Sequence, residues 1–278
     1  MRSCCAPSSS VAKPLLCVLF QLCTFQLLCR TEENEPNLGI LAMQAFNGGK
    51  MNHVFVPGRG KYEEGYSCPE AKRCFLDPNT RISLKVDGEC AMVVRQAGRW
   101  VFFRRQDNYK GSDETIEVPA GAQPASFDKH NYCFVKVSPD LVTGKGKRKS
   151  QVGPDTYQAI EQAVASGLLP DPTSEGCPEF VTVEWVGRKH QTNIDGWEFD
   201  HGLYVHGSST LEVERTRAAV EAMAKVEAIE GLVLEDPITG QRFKLRLDML
   251  PDSLFAARKK RGEKSTIKPK VAGPEGVC

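Results

Sequence analysis

A chain of 278 residues, 41% hydrophobic and 26% charged, has the make-up of a globular protein with one large domain or two small ones, and can bury a sizeable core. Its formal net charge of +1 and pI near 7.5 exclude nucleic-acid binding by bulk charge alone. Any such partner must meet a local basic patch.

The first thirty or so residues, MRSCCAPSSSVAKPLLCVLFQLCTFQLLCR, contain no acid and carry an apolar run from Pro14 to Cys29 that is short for a bilayer span. Three readings fit residues 1–31: a secretory leader, an organelle-import leader, or an upstream gene-model extension. Five of the 11 cysteines fall there; Cys68, Cys74, Cys90, Cys133, Cys177 and Cys278 are scattered with no CxxC pair. That spacing offers neither a zinc site nor a disulfide framework, so reduced thiols inside the cell, in cytoplasm, nucleus or an organelle such as the mitochondrion, are expected over secretion.

Arg81 to Val94 and Arg99 to Arg105 read as β-rich runs joined by RQAGR, a hairpin turning at Ala97-Gly98. Within the first run, Lys85 stands just before the break at Asp87-Gly88. NYCFVKVSP is a further strand, GKGKRKS (144–150) an exposed basic loop without P-loop spacing, and PDTYQAIEQAVASG a helix expected to be capped by Asp155. In EFVTVEWVG, Val181, Val183 and Trp185 share one face, and Thr182 and Glu184 the other. SSTLEVERTRAAVEAMAKVEA reads as a long helix with a capping box from Ser209 to Glu212. AIEGLVLED and QRFKLRL form a second hairpin through PITG, and the residues after Ala257 are basic and aperiodic, expected to be disordered.

A free lysine titrates near ~10.4 and is a poor nucleophile until cations crowd it or its site is desolvated. Arg104, Arg105, Lys244 and Arg246 are the cations expected around Lys85, with Glu184 and Glu230 available for hydroxyl or metal contacts. That company suits attack on a phosphate.

Lys85-Val86-Asp87-Gly88 resembles motif I, KxDG, of the covalent nucleotidyltransferases, which include ATP- and NAD-dependent ligases and messenger-RNA capping enzymes. VEWVG resembles their motif III, IEGLVLED motif IV and FKLRL motif V, in the family's order. Within the superfamily the chain is similar, from about Ile82 to Leu250 and including EWVGRKHQTN and LYVHG, to the animal-type ATP-dependent RNA ligases that join 5′-phosphate to 3′-hydroxyl ends.

The resemblance implies an α+β nucleotidyltransferase fold, the ATP-grasp-like ligase adenylation fold: two antiparallel β-sheets flanked by helices, with ATP in the cleft between them. The implied domain spans 38–257, with a basic disordered tail over 258–278. About thirty residues follow Lys244, so no OB-fold is expected, which favours a minimal RNA ligase over a DNA ligase or a GTP-dependent capping enzyme. A catalytically inactive module that binds nucleic-acid ends is the alternative from another class.

Carried over by position, Lys85 takes AMP as a phosphoramidate, with Asp87 and Gly88 completing the motif. Arg105 contacts ribose or phosphate, with Arg104 competing; Glu184 bonds the ribose hydroxyls. Glu230 helps hold Mg²⁺ or Mn²⁺, and Lys244 with Arg246 stabilises charge on the α-phosphate. The partner implied is RNA with 5′-phosphate and 3′-hydroxyl ends, met by a monomer, with no stable membrane partner. Two departures stand out: Cys90 replaces an arginine common in DNA ligases and capping enzymes, and Leu84 replaces the carboxylate that contacts adenine in RNA-ligase relatives, leaving ATP against GTP open.

Overall fold

The computed structural model describes residues 51–108, 110–117, 132–143, 150–191, 193, 195–264, 269–274 and 276–277. The apolar leader and the basic loop over 144–149 lie outside them, as do the expectations placed there. The fold is mixed α+β, with four helices and three sheets among the described residues.

A four-stranded sheet runs in the order β1 (Asn52–His53), β12 (Arg242–Arg246), β11 (Gly231–Glu235), β4 (Arg81–Lys85). Alternation in GLVLE and RFKLR sends Leu232, Leu234, Phe243 and Leu245 to one face, where each is at most 1% exposed. They pack with Ala71, Cys74 and Phe75 of α1 (Pro69–Leu76) and with Val220 and Ala224 of α3 (Arg217–Val226). Burying each large side chain contributes roughly 1.5–3 kcal/mol. The other face is left to Lys85, Lys244 and Arg246. The expected sheet is wholly antiparallel, but β1 runs parallel to β12. A separate two-stranded sheet, β2 (Phe55–Pro57) with β3 (Tyr62–Tyr66), adds Phe55 and Tyr62 to the same core.

The larger sheet has eight antiparallel strands in the order β14 (Gly276–Val277), β13 (Ala272–Gly273), β10 (Gly202–Val205), β9 (Phe180–Val186), β5 (Glu89–Gln96), β6 (Arg99–Asp107), β8 (Tyr132–Lys136), β7 (Thr115–Glu117). Ala91, Val93, Phe102, Val183 and Trp185 face α2 (Val152–Ala165), while Met92, Val94, Phe103 and Phe134 form a cluster of their own. The β5–β6 hairpin turns where expected: Ala97 and Gly98 take φ of 47° and 71°, the left-handed pair of a type I′ turn.

Four expectations need correction. Arg81 to Val94 is not one strand, because Val86–Gly88 carries the chain from the smaller sheet to the larger, so β4 and β5 lie in different sheets. The helix expected to be capped by Asp155 begins at Val152, with Gln151 at its cap and Asp155 in the first turn. The helix expected from Ser209 begins only at Arg217, capped by Thr216, whose Oγ1 accepts from the Ala219 amide at 3.2 Å. Residues before it run extended along β4 instead: the Leu84 amide donates to Ser209 O at 2.9 Å and that of Leu211 to Ile82 O at 3.0 Å. An otherwise unpaired strand edge outcompetes the local helical pattern there.

The tail is the fourth. Leu254–Arg261 forms α4, capped by Ser253 and stopped by Gly262 at φ 72°, and Ala272 pairs with Leu203. Phe255 at 1% exposure and Val271 and Ala272 at 0% anchor these pieces, so a few apolar residues order a mostly basic stretch. Among the described residues no helix is long and apolar enough to cross a membrane, and Cys68, Cys74, Cys90 and Cys177 are free thiols.

Candidate active site

Cross-strand register arranges the polar face of the smaller sheet in rows. Lys85, Gly231 and Arg246 form one, Ser83, Val233 and Lys244 the next, and Arg81, Glu235 and Arg242 the third. Successive rows lie about 6.7 Å apart. Facing them from the larger sheet are Thr182, Glu184 and Cys90, with Cys90 opposite Glu184 in the ladder. A cavity of about 1090 Å³ is lined from both sheets, by Lys85, Glu230 and Lys244 on one side and Arg105 and Glu184 on the other.

At one end of the rows Arg242 ties the sheets together, donating from Nη1 to Thr182 Oγ1 at 3.0 Å and from Nε to Glu235 at 2.8 Å. At the other, Gly88 packs where no side chain fits. A Cβ there would lie 2.6 Å from Glu184 Cγ, 2.7 Å from Trp185 O and 2.8 Å from Val186 Cγ1. The glycine of KxDG is thus required by the close approach of β9.

Lys85 Nζ donates to Glu230 Oε2 at 2.6 Å, with the two side chains only 20% and 10% exposed. Burial works against the ammonium, but Glu230, Glu184 and Asp87 outweigh it and hold Lys85 above its ordinary pKa. This corrects the expectation of a lysine activated by crowding cations: carboxylates surround it, and it rests charged. Burial pushes Glu230 upward, and the facing ammonium draws it back.

Glu184 Oε2 meets His206 Nε2 at 3.0 Å. In the fold His206 orients the carboxylate that lines the cavity. Arg104 and Arg105 separate by strand alternation. Arg104 pairs with Ala91, on the face covered by α2, so Arg105 points to the opposite face, where its charge acts on Cys90 beside Glu184; both arginines border the cavity. Burial pushes the Cys90 thiol up to about 12, so it stays protonated. Arg246 is held by Asp248 through two bonds, Nε to Oδ1 at 2.9 Å and Nη2 to Oδ2 at 2.5 Å. Leu84 is buried in the hydrophobic core at 5% exposure.

Three groups at the site escape sequence reasoning. His53, opposite Lys244 in the parallel pair, is pushed down to about 4 by burial and by the charges of Lys244 and Arg246. Neutral there, its Nδ1 accepts from Tyr62 Oη at 2.8 Å, while Tyr62 Oη accepts from the Arg246 amide at 2.8 Å. A two-residue strand carries no pattern to announce it. Asp195 is pushed up to about 7 by burial and by Asp87 and Glu230, and its Oδ2 is buried with no hydrogen-bond partner. Lys259 of α4 reaches Asp87, Nζ to Oδ2 3.7 Å, from the stretch read as disordered.

Behind the cavity wall a buried chain supports the motif. Ser150 Oγ lies 2.8 Å from His201 Nε2, His201 Nδ1 2.8 Å from His190 Nε2, and His190 Nδ1 3.1 Å from Glu89, which follows Gly88. Trp185 packs on both imidazoles. Burial and the neighbouring His190 push His201 down to about 4, and the hydrogen bond from His190 holds Glu89 below the usual carboxylate range.

The residues singled out from four sequence motifs therefore line one cavity, although they come from strands of two sheets. No family model matches the chain, and no curated protein sequence matches it.

Proposed function

We propose that the protein is an ATP-dependent RNA ligase of nucleotidyltransferase fold, working through a covalent lysyl-AMP. The observation that carries this reading is the convergence of Lys85, Glu184, Glu230 and Lys244 on one cavity from facing sheets. Convergence of distant motifs on a single cavity is what a shared reaction requires.

In this reading Lys85 Nζ forms a bond to the α-phosphorus as the bond to the β-phosphate oxygen breaks, and pyrophosphate leaves. Lys85 loses a proton to present its lone pair, so its raised pKa makes nucleotidylation quicken as pH rises. Glu184, oriented by His206, holds the ribose hydroxyls. Lys244 and Arg105 meet the phosphates from opposite walls. Phe180 and Val233 give the base apolar surface near Thr182 and Arg242.

Among the described residues no three His, Cys, Asp or Glu side chains form a metal cage. Magnesium seldom uses one; it takes one or two carboxylates together with substrate phosphates, and Glu230 with Asp87 nearby fits that pattern. A divalent ion there supplies positive charge against the phosphates. AMP then passes to an RNA 5′-phosphate, and a 3′-hydroxyl displaces it.

The test is sealing of RNA with a labelled 5′-phosphate and a free 3′-hydroxyl, in Mg²⁺ and ATP or GTP, with nicked DNA alongside. Joined RNA that requires ATP supports the reading. Product from DNA alone, transfer of GMP to a diphosphate end, or no product from any end would replace it.

A further inference from the structure

We propose that Lys259 of α4 forms, beside Lys85, a subsite for the phosphate tail of a nucleoside triphosphate, holding the pyrophosphate that leaves when Lys85 is nucleotidylated. The inference rests on the nucleotidyl-transfer reading and adds to it a residue that none of the sequence motifs contains.

The order of residues along the cavity carries the argument. Arg242 and Thr182 bridge the sheets at one end, Lys244 lies one row further, Lys85 and Arg246 a row beyond that, and Asp87 with Lys259 comes last. A nucleotide with its ribose at Glu184 and its α-phosphate at Lys85 has its base toward Thr182 and Arg242. Its remaining phosphates then extend toward α4. Lys259 lines the same cavity from that side.

Lys259 is also placed and available. Phe255, one turn earlier and 1% exposed, fixes the helix, and the Lys259 ammonium lies 5.6 Å from the centre of its ring. Its contact with Asp87 is long, 3.7 Å, on a side chain 37% exposed. Such a pair contributes little and exchanges readily for a phosphate of higher charge. Neighbouring cations are otherwise engaged: Arg258 and Arg261 pair with Glu263, and Lys264 Nζ donates to Asn193 O at 2.6 Å. Asp248 holds Arg246, which leaves Lys259 as the more adaptable cation at this end.

A leaving-group contact serves nucleotidylation by ATP and has no part once AMP is already on the RNA. The experiment compares wild type, Lys259→Ala, Lys259→Arg and, as a neighbour control, Lys260→Ala in three measurements. These are covalent labelling by ATP labelled at the α-phosphate, sealing of a chemically pre-adenylylated RNA, and calorimetric binding of inorganic tripolyphosphate. The expected result is labelling slowed about tenfold or more in Lys259→Ala, largely restored in Lys259→Arg, with sealing of pre-adenylylated RNA unchanged. Wild-type labelling by Lys259→Ala overturns the proposal, and so does an equal loss in both reactions, which makes Lys259 a nucleic-acid or structural contact. If wild type takes no label, the nucleotidyl-transfer reading fails by itself. Tripolyphosphate binding weakened at least about tenfold in Lys259→Ala then still supports the anion subsite, and equal binding by both proteins overturns it.

Discussion

Replacing Gly88 by alanine tests whether the motif glycine is there for space. Its added Cβ would lie 2.6–2.8 Å from Glu184 Cγ, Trp185 O and Val186 Cγ1, well inside ordinary contact distance. The glutamate methylene can shift, but the Trp185 carbonyl cannot easily follow. Its strand is paired on both sides, Trp185 opposite Glu89 and opposite Leu203. Overpacking against such a wall costs about 1–3 kcal/mol, and at about 2–4 °C per kcal/mol for a domain of this size the melting temperature falls by about 2–12 °C. Because the nearest atom belongs to Glu184, covalent labelling by ATP falls as well. Urea titration with a calorimetric melt measures the first effect and a labelling time course the second. Full stability together with full labelling would refute the close-packing account of KxDG.

Lys85→Ala removes the partner of a carboxylate that is 8% exposed and has Asp87 and Glu184 as neighbours. The structure predicts a loss of about 3–5 kcal/mol, restored in part by adding Glu230→Gln. Urea midpoints of the single and double variants decide it, and no loss in the single variant contradicts the buried pair. His201 gives a pH dependence: its folded pKa of about 4 lies below the unfolded value of 6.5, so its contribution is intact above about 6.5 and falls as pH drops toward 4. By pH 5 the loss is about 2 kcal/mol; Asp195, whose raised pKa of about 7 acts with the opposite sign, gains a comparable amount, and His53, also pushed down to about 4, adds a loss like that of His201. Wild type should therefore lose more stability between pH 7 and pH 5 than His201→Asn, and equal losses would remove His201 from the account. Ala97→Asn, at φ 47° on an exposed turn, should raise stability by about 0.5–1 kcal/mol in the same titration.

Much of the cavity wall is readable from strands whose side chains alternate strictly. In VTVEW the period of two separates Glu184 from Val183 and Trp185, and the structure keeps that division. The β11–β12 hairpin is equally plain, because GLVLE and RFKLR each bury one face and flank a turn. The same alternation separates Arg105 from Arg104, although the sequence alone does not say which of the two faces carries Glu184 and Cys90. What escapes depends on distant partners. Residues 209–216 carry a local helical pattern, yet the edge of β4 recruits Thr210 into a bridge with Ser83. The parallel pairing that brings His53 to Lys244 joins residues far apart in the chain and leaves no periodic trace. Of the carboxylates that keep Lys85 charged, Asp87 stands in the same motif, but Glu230 and Glu184 come from distant parts of the chain, so no local stretch displays the set. Lys259 reaches the cavity because one buried phenylalanine orders a helix that composition makes look like a solvated tail.

The central claim is that Lys85 takes a nucleotide covalently. Its most direct test is incubation with Mg²⁺ and ATP labelled at the α-phosphate, followed by a denaturing gel and mapping of the labelled peptide, with Lys85→Arg alongside as a variant that keeps the charge against Glu230. The account predicts an acid-labile, base-stable AMP on the peptide containing Lys85, formed by wild type and absent from the variant. Label on any other residue, label retained by the variant, or a folded wild-type protein that takes none from ATP would contradict it.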